Sequence, residues 1–569
     1  MDGSISRTGS TGPASDHRPW VREYPPGVPA RLELDPAESV VDIIERAIDR
    51  FAERPAFSNF GRTLTFREVD VLGRRFAAWL QGLEGIVPGD RVAIMLPNLL
   101  QYPVALLGAW RAGLVVVNVN PQYTAAELEH QLADSGAKVL VVLAQRAAVF
   151  NAIRERTAIR HVLVTGVGDL LGFPKGPLVN FVLRHVKRQS VAHVSGAALW
   201  SDINAIDAEK YRKLSPSSGS DLACLQYTGG TTGRSRGAML THANLAANVR
   251  QINAWFRSRQ EPGKEIVVTP LPLYHVYALM CNCLCYIDIG GHNILITDPR
   301  DIRAFIAELR RWRFTAISGV NTLYQAMVQH PDIGSVDFSS LKLASAGGMA
   351  VMPATAERWQ EITGVTIHEG YGLSETSPVV TSNPVTLTGY NGSIGLPLPN
   401  TEVSLRLDDD SVAPRGEPGE LCVRGPQLMR GYWNDPAGTA QAMTGDGFFR
   451  TGDIATMDDR GYFRIVDRKK DMIDVSGLKV YPNEVESAIT RHPAVLEAAC
   501  IGVPDERTGE AVKLFLVLKP GQTLAVDEVR SFLRETLTPY KVPRQVEFRD
   551  SLPKSNVGKI LRRELRTSN

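Results

Sequence analysis

Leu225-Gln-Tyr-Thr-Gly-Gly-Thr-Thr-Gly-Arg-Ser-Arg-Gly237 is the stretch on which the reading of this chain turns. It follows a strand-like run, and its glycines let backbone amides close on an anion while its hydroxyls add further donors. Two readings of the residues alone stand here, a phosphate loop and an ordinary Gly/Thr turn. No Gly-Lys-Ser/Thr closes the stretch, so it is not the Walker pattern of common P-loop ATPases or kinases.

Around this loop, from about residue 40 to 450, helical patterns alternate with short β-branched runs, which predicts layered α/β architecture. Arg91–Leu96, Val139–Leu143, Ile266–Thr269 and Ala316–Ser318 read as buried strands. Glu127–Leu132 reads as a helix, with Asp134-Ser-Gly-Ala137 as the turn that follows. Past Asp467 the pattern becomes compact α+β, the size of a small independent domain. There Pro482 opens a helix ending near Arg491, strands span 497–503 and 511–518, a helix spans 526–537, and Gln545–Phe548 adds a short strand. The boundary is predicted between Asp467 and Asp471.

Bulk properties fit a multidomain globular protein. At 569 residues the chain is too long for one core, and its 44% hydrophobic and 22% charged residues are ordinary globular values. A net charge of only +2 gives no basis for nucleic-acid binding. The six cysteines are too sparse for a disulfide framework and point to a reducing cytosol. Cys281, Cys283 and Cys285 lie in an apolar run, where small buried hydrophobes compete with a metal knuckle that would need C-x-x-C spacing. Residues 1–19 lack an apolar signal region and are expected to form a disordered tail. Val104–Val119, interrupted by Arg111, fits a buried helix running into a strand better than a membrane span. Leu178–Arg188 is basic and amphipathic, and reads either as a helix packed on the body or as a membrane-surface element.

Two further segments carry chemistry. Glu369-Gly-Tyr-Gly-Leu-Ser-Glu375 brings an aromatic ring, a hydroxyl and a carboxylate into one turn. Tyr371 is placed to stack on a base and Glu375 to hold magnesium, against the plainer reading of a solvated surface turn. Thr451-Gly-Asp453 and Arg468 offer an acceptor for ribose hydroxyls and a cation for phosphate or ribose. Lys559 precedes the basic helix Ile560–Arg566, a position that also suits an ordinary solvated lysine.

Taken together, and in this order, the motifs resemble those of the adenylate-forming enzymes, particularly the bacterial long-chain fatty-acid–CoA ligases. The resemblance runs from about Trp20 to Arg566 and includes Asn118–Tyr123, Pro270–His275, Ser345–Met349, Gly392–Pro397, Asp467–Asp471, Val480–Glu484 and Pro553–Lys559. It implies a large N-terminal domain (20–468) of layered α/β subdomains plus a β-barrel-like subdomain, and a small mobile α+β lid (469–569). By the same resemblance, Thr228, Gly229, Gly230, Thr231, Thr232, Gly233, Arg236 and Gly237 hold the ATP phosphates. Thr228 and Glu375 bind Mg2+. Gly347, Gly348, Glu369, Gly370, Tyr371, Gly372, Leu373 and Ser374 surround adenine and the adenylate phosphate. Asp453 and Arg468 secure the ribose, and Lys470 is the hinge. His275, Gly319 and Val320 border the acyl pocket, and Ser476 and Lys479 contact CoA. Lys559, Glu375 and Thr228 form the catalytic set.

The substrates implied are a fatty acid, ATP and CoA, with Mg2+ as the metal, in a cytoplasmic homodimer that touches the inner face of the membrane peripherally. Other adenylate-forming ligases, for aromatic acids or for loading a carrier protein, share the ATP site and remain the alternative. Two departures stand out. Arg236 replaces the lysine usual in this loop, keeping charge but changing geometry. Ser374 stands where threonine is common and keeps the hydroxyl.

Overall fold

A computed structural model describes residues 18–214, 218–228, 235–476, 478–554 and 560–567. Two large sheets, packed through shared helices, build most of the first 400 residues. One has seven strands, in the order Ala198–Leu199, His161–Thr165, Val139–Leu143, Arg91–Met95, Val115–Asn118, Leu222–Thr228 and Arg236–Thr241. All neighbours are parallel except the last pair, which is an antiparallel hairpin. Val139–Leu143 is buried at every position, as an unbroken apolar run in a sheet covered on both faces should be.

The second sheet has nine strands, with Ile266–Thr269, Ala316–Gly319, Leu343–Ala346 and Ile367–Gly372 adjacent and parallel through its middle. Helix Gln101–Arg111 is buried along its whole length, which confirms the reading of Val104–Val119 as helix then strand. Arg111, the residue that interrupts its apolar character, keeps only 1% of its side chain exposed and is paired with Glu45 at 2.7 Å and Asp70 at 2.6 Å. A buried guanidinium needs such partners, because an unpaired charge would be far costlier to desolvate. Helix boundaries follow local signals: Thr65 with Glu68 and Thr124 with Glu127 form reciprocal capping boxes.

An antiparallel four-stranded sheet, Glu402–Arg406, Gly419–Arg424, Phe449–Met457 and Phe463–Arg468, supplies the β-rich unit of the large domain. Beyond it a five-stranded sheet is centred on Gly509–Leu518, with Val495–Asp505 antiparallel on one side and Gln545–Phe548 added in parallel. Helices Pro482–Ile489 and Val526–Arg534 cover it, and Val485, Ile489, Leu514 and Leu533 fill a core separate from those of the large domain.

Arg562 joins the two bodies. Its guanidinium meets Asp467 (3.3 Å) on the last strand of the four-stranded sheet, Asp471 (3.5 Å) in the following turn, and Glu486 (2.8 Å) on the small domain's first helix. The three Cys residues lie on the turn of wide helix Leu279–Leu284 and the helix after it, and burial pushes the Cys281 and Cys283 thiols up to about 12. They pack as small apolar side chains. Lys175–Phe181 and Val182–Val186 form the expected basic amphipathic helix, but Leu178, Phe181 and Val186 of its apolar face point to solvent.

Candidate active site

The carboxyl ends of the central parallel strands open into a cleft of about 2250 Å³ that reaches the small domain. Open α/β sheets place ligands at this edge, where loops leave the strands and can be shaped without disturbing the core. Thr228, at the end of its strand, lines the cleft opposite Arg236, its partner in the hairpin register. Gly229 to Gly233 lie outside the described residues, as does Lys559.

Strand Ile367–Gly372 delivers the second predicted segment to the same cleft. The Tyr371 hydroxyl donates to Asp453 Oδ2 at 2.6 Å, and Asp453 Oδ1 meets Arg468 Nε at 3.1 Å. Asp453 and Arg468 face one another across two antiparallel strands. The chain thus ties an aromatic ring, a carboxylate and a cation from two sheets into one row. Gly347 and Gly348 line the cleft beside them. Gly348 has φ +80, where a side chain would strain the backbone. Gly370 and Leu373 also line it, and Gly372 has no room for a Cβ, which would sit 1.9 Å from the Pro378 carbonyl oxygen.

Glu375 is buried in the short turn Ser374–Thr376, which packs on the 222–228 and 236–241 hairpin. Burial pushes its carboxyl above the ordinary value; the Tyr432 hydroxyl, donating at 2.8 Å, and the Arg236 and Arg468 cations pull it back. Tyr432 was not singled out in the sequence. Its ring also carries Arg236, whose guanidinium carbon lies 4.0 Å from the ring centre, with Asp435 at 3.5 Å as the ion-pair partner. The unusual arginine is therefore stacked as well as charged, a contact that a lysine ammonium makes with no planar overlap. Thr228 and Glu375 offer hard oxygen donors to the same cleft, one hydroxyl and one carboxylate, a donor set that suits magnesium shared with phosphate oxygens.

Glu369 is a different kind of carboxylate. It lines the cleft but is largely buried and accepts from the Val351 amide at 2.8 Å, so burial pushes it up to about 7 despite that hydrogen bond. It braces the loop after Gly347 rather than presenting a free charge.

His275 and Val320 line the cleft, with the His275 ring accepting from the Tyr277 amide at 3.4 Å. Gly319 is turned away from it and backs onto Tyr324, whose ring would lie 2.9 Å from an added Cβ. Ile252, Phe256, Tyr286, Leu343 and Leu398 give the cleft an extended apolar wall that sequence spacing alone did not reveal. Lys470 lines the cleft at the domain junction, and burial lowers its ammonium below the ordinary value against the pull of Asp471. Ser476 and Lys479 do not line it in this arrangement. Ser476 sits in a turn with φ 57, and Lys479 faces Asp408 at 3.8 Å.

The fold finds close counterparts among known proteins. The AMP-binding enzyme profile matches residues 44–433, and the profile of the AMP-binding enzyme C-terminal domain matches residues 484–559. This chain belongs to the AMP-binding enzyme family. The AMP-binding enzyme is 51% identical over 548 residues to the long-chain-fatty-acid–CoA ligase of Escherichia coli O6:H1, covering 96% of this chain and 97% of that one. It is 38% identical to the protein of the same name from Bacillus subtilis, over 96% and 97% of the two chains. Among solved structures it resembles the anthranilate CoA ligase AuaEII in complex with anthranoyl-AMP, with TM-score 0.83, 26% identity and coverage of 94% and 98%. ATP-bound MatB from Rhodopseudomonas palustris gives TM-score 0.79 at 28% identity, with coverage of 93% and 98%.

Arg236→Lys should lower kcat/KM for ATP about tenfold by losing the stack on Tyr432, and a change under about twofold would mean the stack is idle. Because Glu369 is neutral in the fold at a pH where the unfolded chain ionises it, its contribution favours folding below the ordinary Glu pKa and is lost as pH rises to about 7. Urea titrations of the Glu369→Gln variant should therefore show a flatter dependence of stability between about pH 4.5 and 7, by an amount on the order of 3 kcal/mol.

Proposed function

We propose that the chain activates a long-chain fatty acid with ATP, forming acyl-AMP and pyrophosphate, and then passes the acyl group to CoA. What most supports this reading is the pairing, in one cleft, of the Tyr371–Asp453–Arg468 nucleoside row with the apolar wall of Ile252, Phe256, Tyr286 and Leu343. The half-identical relatives named long-chain-fatty-acid–CoA ligase point to the same chemistry over nearly the whole chain.

In this reading residues 228–237 and the segment Glu369–Ser374 hold ATP, while Asp453 and Arg468 fix the ribose. Thr228 and Glu375 would hold magnesium, which when bound would screen the triphosphate. Attack of the fatty-acid carboxylate on the α-phosphate gathers negative charge, and preorganised cations lower that barrier most where water is excluded. Lys559 supplies such a cation in this proposal. The CoA thiol must then reach the same carbonyl, so the lid of residues 469–569 turns about Lys470 on the body of residues 20–468, withdrawing Lys559 and bringing Ser476 and Lys479 toward CoA. His275 and Val320 border the acyl group, and Gly319 supports that wall from behind. Homodimer formation and peripheral contact with the inner membrane face belong to the same proposal.

A second reading, activation of an aromatic acid, is favoured by the 36% identity to the feruloyl-CoA synthase of an Amycolatopsis species. Pyrophosphate release measured across fatty acids of increasing length and across hydroxycinnamic acids, with and without CoA, separates the two. Preference for long chains together with CoA-dependent thioester is the expected result; faster turnover of the aromatic acids overturns it. Lys559→Ala should reduce adenylate formation by about a thousandfold while sparing thioester formation from supplied acyl-AMP. Equal loss in both half-reactions would remove Lys559 from the first step.

A further inference from the structure

Between Leu170 and Ser201 the chain carries no aspartate or glutamate, yet it holds Lys175, Arg184, Lys187 and Arg188. Within this stretch the helix Lys175–Phe181 runs on through Val182–Val186. Four large apolar side chains stand out from this helix and the residues just before it: Phe173 is 91% exposed, Leu178 60%, Phe181 57% and Val186 67%. One such residue on a surface is unremarkable, but four on one short segment are a patch with a use.

The segment is held firmly from its other side. Asn180 donates to Asp169 Oδ1 at 2.8 Å and accepts from the Gly168 amide at 2.8 Å. Gly168 and Gly176 touch so closely that a Cβ on Gly168 would lie 2.2 Å from the Gly176 carbonyl oxygen. Lys175 also donates to the Phe60 carbonyl, which fixes the start of the helix. Val179 packs against the core. The apolar residues are therefore presented outward by an anchored helix.

We propose that this helix is the dock by which the enzyme sits on an anionic phospholipid bilayer. Charge complementarity selects that occupant: basic side chains of one sign flank apolar ones along a helix too short to cross a membrane, and no described helix is long and apolar enough to do so. Such a helix lies in the headgroup plane, with its aromatic and aliphatic side chains at the acyl boundary and its cations on lipid phosphates. Phe173, just ahead of the helix, would enter deepest. The inference rests on the peripheral-contact part of the reading above and gives it a location. A long-chain acid partitions into lipid, so a docked enzyme meets its substrate at the surface where it accumulates.

The test is co-sedimentation of the full chain with vesicles of phosphatidylcholine alone or mixed equally with phosphatidylglycerol, at low and at high salt. Wild type should bind the mixed vesicles and release them in salt. F173S/F181S and R184E/K187E should each weaken that binding by about tenfold or more. Both variants should keep the wild-type melting temperature and full turnover of a water-soluble shorter acid, since neither pair belongs to the cleft. Variants that sediment like wild type overturn the proposal. So do equal binding to pure phosphatidylcholine and, without vesicle binding, a change in oligomeric state that would make the face a contact between copies. Loss of vesicle binding with ligase activity intact supports the dock even if the acid preference proves different, and ligase activity without any vesicle binding removes the dock alone.

Discussion

One guanidinium holds the two bodies of this enzyme in register. Arg562 is largely withdrawn from water and surrounded by Asp467, Asp471 and Glu486, with the Asn483 side chain accepting from it at 2.5 Å. Asp467 is fully buried and also accepts from the Asn483 amide at 2.6 Å. Removing Arg562 would leave Asp467 and Glu486 as desolvated carboxylates without their cation, so the cluster tolerates only a few arrangements. Arg566 adds a second cation on Asp471 at 3.0 Å. The helix Arg562–Thr567 is thereby tied to the strand that carries Arg468, and hence to the row of Tyr371, Asp453 and Arg468.

The cleft is assembled at seams. Tyr371 comes from the nine-stranded sheet, Asp453 and Arg468 from the antiparallel four-stranded one, and Thr228 and Arg236 from the seven-stranded one. Hydrogen bonds and stacks between their side chains, rather than any single loop, fix the distances at which a substrate would be gripped. A site distributed in this way has no independent fragment, and each sheet is needed to orient the contribution of the others.

Much of this was readable in advance, for identifiable reasons. Apolar runs such as Val139–Leu143 announce buried parallel strands, and capping residues such as Thr124 and Glu127 announce helix starts, because both signals are local. The glycine-rich segment Glu369–Glu375 reads as a turn by composition, but its first half completes strand Ile367–Gly372 and only Ser374–Thr376 turns. What escaped was long-range. Nothing near Tyr432 in the sequence says that its hydroxyl reaches Glu375 or that its ring lies under Arg236. The role of Gly319 was placed one layer too far forward, since its backbone neighbours Ser318 and Val320 line the cleft while it packs on Tyr324. The apolar face of the 175–186 helix was legible as a face, but whether it met the body or the solvent depended on Asn180 and the Gly168–Gly176 contact.

The stack of Arg236 on Tyr432 has a bearing on descent. A flat cation resting on a ring, with Asp435 at its rim, makes Arg236 answerable to a pair of residues about two hundred positions further along the chain. A lineage with lysine at 236 would relax the demand for an aromatic at 432 as a platform, leaving only its hydroxyl under selection, whereas a lineage with the arginine must keep the ring. Among sequences descended from a common ancestor with this chain, those two sites should therefore drift as a unit.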